Sequence, residues 1–265
     1  MTEKSMQNRT ELSRQTIRKW ILIISFLLVP VTIFYISPIV LLMGAAKGIA
    51  TGSMILIILL FLLSFFVARL WCGWLCPMGA WQEICSPLFK RTVPEGWRDY
   101  LKFGVLVLWL GMLGLAIADA EGIRTVDPFY GTVNGISITS VEVLTVVAGI
   151  FATIFIVALI TGRRGFCRVL CPIGAFLAIG RKVRNLAGWP ALQLTPDASR
   201  CIDCNKCSRA CPMGLDVNSM VQKSEMEKME CILCAGCADC CPKDAITYGV
   251  GGRCAAGHRR KAGQS

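Results

Sequence analysis

The sequence predicts an α-helical membrane protein in two parts: a four-helix transmembrane bundle of two parallel repeats, followed by a small α+β domain organised by cysteines. Three observations predict it. Of 265 residues, 54% are hydrophobic, a composition unlike that of a soluble domain of this size. Four nearly uncharged stretches are long enough to cross a bilayer. Ten of the fifteen cysteines crowd into the final quarter of the chain, and the first 70 residues hold none.

A helix needs about 20 apolar residues to span the hydrocarbon core. Trp20 to Ser37, Ile49 to Leu70, Tyr100 to Ala118 and Ile138 to Ile160 approach or exceed that length. Pro30 is expected to kink the first, and Pro38 to end it, leaving Ile39 to Ala46 as a short apolar piece at the outer interface. The run after Trp20 is too long for a signal-peptide core and lacks a small-residue cleavage site, so it reads as an anchor in lipid.

Basic residues mark cytoplasmic loops. The N-terminal arm carries Lys4, Arg9, Arg14, Arg18 and Lys19, and the loop after the second stretch carries Arg69, Lys90, Arg91, Arg98 and Lys102, whereas the other short loops hold only Lys47 and Arg124. This predicts a multi-pass protein of the cytoplasmic (inner) membrane with both termini and the cysteine domain in the cytoplasm. The net charge of +11 is then mostly a topology signal, and no nucleic-acid partner is expected.

Arg69-Leu70-Trp71-Cys72-Gly73-Trp74-Leu75-Cys76-Pro77-Met78-Gly79-Ala80-Trp81 aligns without gaps on Arg164-Gly165-Phe166-Cys167-Arg168-Val169-Leu170-Cys171-Pro172-Ile173-Gly174-Ala175-Phe176. Each copy follows an outward-then-inward pair of stretches, so the halves share one orientation about an axis along the membrane normal. The expected organisation is a basic arm (1–19), the transmembrane domain (20–189), the cysteine domain (190–252) and a polar tail (253–265) with Cys254 and His258.

Cys201-x2-Cys204-x2-Cys207-x3-Cys211-Pro212 recurs as Cys231-x2-Cys234-x2-Cys237-x3-Cys241-Pro242. This is the bacterial run in which three closely spaced thiolates wrap one cubane and the fourth reaches the other. It predicts a bacterial 2[4Fe–4S] ferredoxin-like domain. Cluster I takes Cys201, Cys204, Cys207 and Cys241, and cluster II takes Cys231, Cys234, Cys237 and Cys211. Structural zinc normally uses two ligand pairs with a longer spacer. Cys240 offers a competing frame, and Pro242 favours Cys241.

The two Cys-x3-Cys-Pro motifs place Cys76 and Cys171 before a proline suited to a first helical turn, where the dipole is expected to lower a thiol pKa. Cys72, Cys76, Cys167 and Cys171 are candidates for a third metal centre or redox thiols; the alternative is small residues or a thiol pair at a packed corner. Cys85 and Cys254 have no partner pattern.

His258 is the only histidine, so bis-histidine haem cannot be built in the bundle, and no Cys-x-x-Cys-His run exists for covalent haem. No glycine-rich dinucleotide motif supports NAD binding. Glu142 is the one acid within a predicted span, and with Asp127, and more distantly Asp119, Glu121 and Tyr130, it is a candidate acceptor of quinol protons; the alternative is interfacial residues in water.

Four stretches, two Cys-x3-Cys-Pro motifs and a double cysteine run together resemble the membrane quinol-dehydrogenase subunit of periplasmic nitrate reductase systems (NapH type), over nearly the whole chain. The likeness extends to the membrane parts of the nitrous-oxide reductase maturation protein and of copper reductases of oxidase assembly. The resemblance implies oxidation of a membrane quinol and delivery of electrons to a ferredoxin-like or cytochrome partner. No motif for a quinol pocket carries over. Two other functions fit the residues: a copper reductase or assembly factor using the Cys-x3-Cys-Pro thiols, and a membrane redox sensor.

Overall fold

The computed structural model describes residues 3–89, 91–93 and 96–251, with side chains described from residue 14 onward. The polar tail with Cys254 and His258, Lys90, and the side chains of Lys4 and Arg9 lie outside the described residues.

The chain is mostly helical. Helices α1 (Glu3–Leu27), α2 (Val29–Ile36) and α3 (Pro38–Ala45) precede strand β1 (Ile49–Thr51) and helix α4 (Gly52–Val67). The first repeat then turns through α5 (Leu70–Trp74) and α6 (Pro77–Ile84). The second half follows the same plan: α7 (Arg98–Asp119), β2 (Thr125–Asp127), α8 (Val141–Thr161), α9 (Gly165–Val169) and α10 (Pro172–Ala187). The cysteine domain comprises β3 (Ala191–Pro196), α11 (Lys206–Ala210), α12 (Val217–Gln222), α13 (Gly236–Asp239) and β4 (Ile246–Gly251).

Helices α7 and α8 have the length and apolarity to cross a membrane. The first predicted stretch is not one straight span: α1 and α2 meet at an 87° bend. Pro30, in the first turn of α2, lacks the N–H and has the ring that stop a helix from running through this point. Pro38 opens α3 with Ser37 as its cap, the Ser37 Oγ accepting from Val40 N at 3.4 Å. The second stretch is shorter than predicted. Its first residues form β1, paired in parallel with β2 (Ile49↔Thr125), which leaves 16 residues in α4, about 24 Å of helix. Ala68, at φ +50°, ends it.

The helices pack as two interlocked copies. Helix α6 packs on α1 and α8, and its counterpart α10 packs on α7 and α4. Each short helix thus fills the space between a helix of its own half and one of the other. Outward-facing side chains such as Val107 (71% exposed) and Ile160 (76%) form an apolar surface that calls for a hydrocarbon solvent.

Strands β3 and β4 pair antiparallel from Ala191↔Gly251 to Pro196↔Ile246. One hydrophobic core runs through both parts of the chain. Leu60, Ala68, Cys72 and Leu177 of the bundle pack into the same cluster as Leu194, Met213, Ile232 and Ile246.

Candidate metal centres

Each cysteine run makes its loop by alternating handedness. Asp203 and Asn205 flank Cys204 with φ of +56° and +55°, and Leu233 and Ala235 flank Cys234 with φ of +51° and +61°. Asn tolerates this conformation, but Leu233 and Ala235 hold it at a cost of about 1–2 kcal/mol each, and both are fully buried. Strain held in place by packing turns successive thiols toward one point.

Cys201, Cys204, Cys207 and Cys241 line one cavity with an empty volume of about 340 Å³. Cys211, Cys231, Cys234 and Cys237 line a second of about 370 Å³, walled by Leu194, Met213 and Leu215. The fourth cysteine of each run, released before Pro212 or Pro242, therefore faces the other run's loop. Cys240 is outside the lining of the first cavity, and its thiol donates to the Cys237 carbonyl at 3.5 Å. Burial pushes the Cys234 thiol up to about 12 and Cys237 well above its ordinary range. Thiols desolvated in this way fit a cationic iron core, which deprotonates its ligands.

The repeat sets the two Cys-x3-Cys-Pro motifs at equivalent places in the two halves, each between a short helix and one opened by proline. Cys76 and Cys171 are the caps of α6 and α10, whose first residues are Pro77 and Pro172. Burial raises the Cys76 thiol well above its ordinary value, and Cys72, Cys167 and Cys171 raise it further by like-charge repulsion. Burial, with Cys167 and Cys72, lifts Cys171 to about 12. The expected lowering at a helix N-terminus is overturned: the Gly174 N–H reaches the Cys171 Sγ at 3.4 Å and works in the lowering direction, but desolvation outweighs it.

Two arginines at equivalent repeat positions cross over between the halves. The Arg69 Nη2 donates to the Cys167 carbonyl at 3.2 Å, and the Arg164 Nη1 donates to the Cys72 carbonyl at 2.7 Å. Arg69 also meets Glu230 at 2.7 Å, and Glu230 takes Lys102 as a second cation. Arg164 meets Glu83, which also takes Arg18. Despite its own desolvation, Glu83 is held below the usual glutamate range, chiefly by Arg164 and Arg18. Gln82 Nε2 donates to the Cys167 Sγ at 3.1 Å. A Cβ added to Gly174 would lie 2.7 Å from the Arg69 Nη2, so glycine is what admits the guanidinium.

This quartet abuts the second cavity. A Cβ on Gly73 would lie 2.5 Å from the Ile232 carbonyl oxygen, and Trp74 Nε1 donates to the Leu233 carbonyl at 3.2 Å. Helix α1 clamps the other side, with Gln15 Nε2 donating to the Cys234 carbonyl at 2.8 Å and Arg14 paired to Asp239 at 2.9 Å.

The acidic candidates are not brought to the cysteines. Glu142 is exposed in the first turn of α8, and Asp127 is exposed in β2 with its Oδ1 accepting from Phe129 N at 3.0 Å. About 30 Å of α7 and α8 separates that end from the thiols. What sequence reasoning missed was the arginines. Arg69 and Lys102, counted as loop charges, are fully buried and paired. The available signal was the repeat, which places an Arg three residues before the first cysteine in both copies.

Residues 49–94 and 143–190 each match the family model described as a 4Fe-4S binding domain, and residues 200–246 match the 4Fe-4S dicluster domain. An uncharacterized protein of Methanocaldococcus jannaschii is 28% identical, over 82% of this chain and 80% of its own. YccM of Escherichia coli is 24% identical, over 75% of this chain and 56% of its own. The ferredoxin-type protein NapH of Haemophilus influenzae is 26% identical, over 68% of this chain and 62% of its own. This chain thus spans less than two thirds of the length of the latter two. No solved structure matches it.

Proposed function

Because the chain belongs to the NapH-type family of ferredoxin-type 4Fe–4S membrane electron-transport proteins, we propose that it passes electrons between the quinone pool and a cytochrome or ferredoxin-like partner. Its role is iron–sulfur electron transfer in a membrane. The finer reading is that two [4Fe–4S] clusters are held in residues 190–252, cluster I by Cys201, Cys204, Cys207 and Cys241, and cluster II by Cys231, Cys234, Cys237 and Cys211. When bound, these groups supply one-electron carriers. A third metal centre at Cys72, Cys76, Cys167 and Cys171 sits between them and the bilayer.

The observation that carries this reading is the exchange of Cys211 and Cys241 between the two cavities. The chain's residues then do three things. Leu194, Met213 and Leu215 keep water from the second cavity. Gln15 and Arg14 fix the Cys234 turn against α1. The Gly73–Ile232 contact brings the Cys-x3-Cys-Pro quartet against cluster II's loop.

The same reading has four membrane crossings, with the bent α1–α2 pair and α4 joining α7 and α8 in residues 20–189, between the basic arm (1–19) and the tail (253–265). Both termini and the cysteine domain are in the cytoplasm. Arg98, Arg163 and Arg164 at the cysteine-bearing ends of α7 and α8, against only Lys47 and Arg124 at the other ends, support that orientation.

The test is anaerobic. The protein is reduced in lipid, a quinone analogue is added, and the cluster EPR signals are followed as they oxidise. Fast, saturable oxidation blocked by a quinone-site inhibitor is expected; slow, unsaturable oxidation would overturn the quinone link and favour soft-metal handling at the four Cys-x3-Cys-Pro thiols.

A further inference from the structure

A further cavity, with an empty volume of about 790 Å³, lies where the bundle meets the cysteine domain, and it differs from the two cysteine-lined ones. Arg18, Lys19, Arg163 and Arg164 line it, with Glu83 the one carboxylate and Ser86 a neutral donor. Its size falls in the range of about 300–1,000 Å³ usual for small-molecule sites.

Glu83 is already engaged, accepting from the Arg18 Nη1 at 3.1 Å and pairing with Arg164 as well. Lys19 is exposed, and the Arg163 Nε donates only to the Phe89 carbonyl, at 3.2 Å. Among the described residues, no carboxylate pairs with either. Four cations facing one carboxylate in a concave, partly desolvated site attract an anion. Guanidinium and ammonium groups together suit the oxygens of a phosphate.

The position of the cavity selects the source of that phosphate. Lys19 immediately precedes the apolar run that begins at Trp20, and Arg163 follows the last turn of α8, which ends at Thr161. Both cations therefore stand where the chain leaves hydrocarbon. Exposed apolar side chains adjoin the lining residues in sequence: Ile17 and Trp20 beside Arg18 and Lys19, and Ile84 and Leu88 on either side of Ser86. Basic pockets at this depth bind anionic lipid headgroups, whose acyl chains would cover such side chains. A freely diffusing phosphate has no such apolar part to place.

We propose that this cavity binds the phosphate of an anionic phospholipid, with Lys19 and Arg163 as its principal contacts and the buried Arg18 and Arg164 supplying further positive charge. The site rests on the membrane placement proposed above. Its walls also include Ala210, Pro212, Cys234 and Gly236 of the cysteine domain. A lipid seated there touches both parts of the chain at once and bears on the turn that carries Cys234.

The test is lipid titration of the full-length, detergent-solubilised protein, read by native mass spectrometry, with phosphatidylglycerol, phosphatidylcholine and inorganic phosphate as probes. Phosphatidylglycerol is expected to bind saturably, and phosphatidylcholine of the same chain length not to compete with it. Lys19→Ala with Arg163→Ala should weaken phosphatidylglycerol roughly 30-fold. Lys182→Ala with Lys223→Ala, which removes two exposed cations outside the cavity, should leave its affinity unchanged. Equal affinity for the two lipids, or equal losses in the two variants, would overturn the site, since either result reports adsorption without a defined contact. Displacement of the lipid by equimolar inorganic phosphate would overturn the lipid assignment. The comparison of lipids on wild type needs no variant to fold. Membrane placement is checked separately: protein released from washed membranes without detergent would sink that placement, whereas detergent-dependent extraction with no lipid preference would sink the site alone.

Discussion

Arg164 reaches out of the second repeat to the Cys72 carbonyl of the first at 2.7 Å, and its counterpart Arg69 returns the contact to Cys167. Each arginine is neutralised by a carboxylate that holds a further cation. Charges this deeply buried are tolerable only while every partner is present.

Glu230→Ala leaves Arg69 and Lys102 buried against each other. Removing one member of a buried ion pair costs about 3–5 kcal/mol. Denaturant unfolding followed by circular dichroism should show a loss of that size, and an unchanged midpoint would mean that water or lipid already neutralises the pair.

Acid should weaken the Glu83 arm of the same network. Its folded pKa is depressed, by Arg164 and Arg18 against the opposing effect of burial, so the stability it contributes is present above the ordinary value of about 4.5 and is lost as pH falls through the lower folded value. Stability curves between pH 7 and pH 3 should fall less steeply for Glu83→Gln than for wild type in that acid window. Parallel curves would contradict the assignment.

Cys211→Ser and Cys241→Ser should produce crossed phenotypes. Loss of Cys211 should alter the EPR signal also altered by Cys234→Ser, and loss of Cys241 the one altered by Cys204→Ser. Pairing each fourth cysteine with its own run instead would show that the two cavities do not define the ligand sets.

Gly73→Ala forces a methyl to 2.5 Å from the Ile232 carbonyl, and overpacking of this kind costs about 1–3 kcal/mol. Gly104→Ala, which meets nothing within 4 Å, is the matched control. Thermal unfolding should separate the two; equal melting would mean that α5 can move away from the second cavity's loop freely.

The cysteines were the most legible part of the chain. Spacing and one proline pointed to Cys241 over Cys240, and Cys241 is the one that lines the first cavity, because such loops are local and written in consecutive residues. The repeat was legible for the same reason. Helix boundaries were less so, since hydropathy cannot tell residues 49–51 as a strand from the start of a span, nor whether Pro30 bends a helix gently or breaks it. The buried ion pairs were hidden because an arginine that marks a cytoplasmic loop and one that crosses to the opposite half look alike until tertiary contacts exist. Glu230, far downstream of its partner Arg69, carries no local sign of its role.

The crossed arginines have the form of an isologous contact, in which residue i meets j and j meets i, as in a two-fold dimer. Here both sides belong to one polypeptide. A fragment ending before α7 would leave Arg69 without Cys167 and Cys72 without Arg164, so half of the gene encodes half of a socket. Fragments severed in the connection between β2 and α8 should therefore rescue each other only when produced together, the two pieces completing in trans what the intact chain completes in cis.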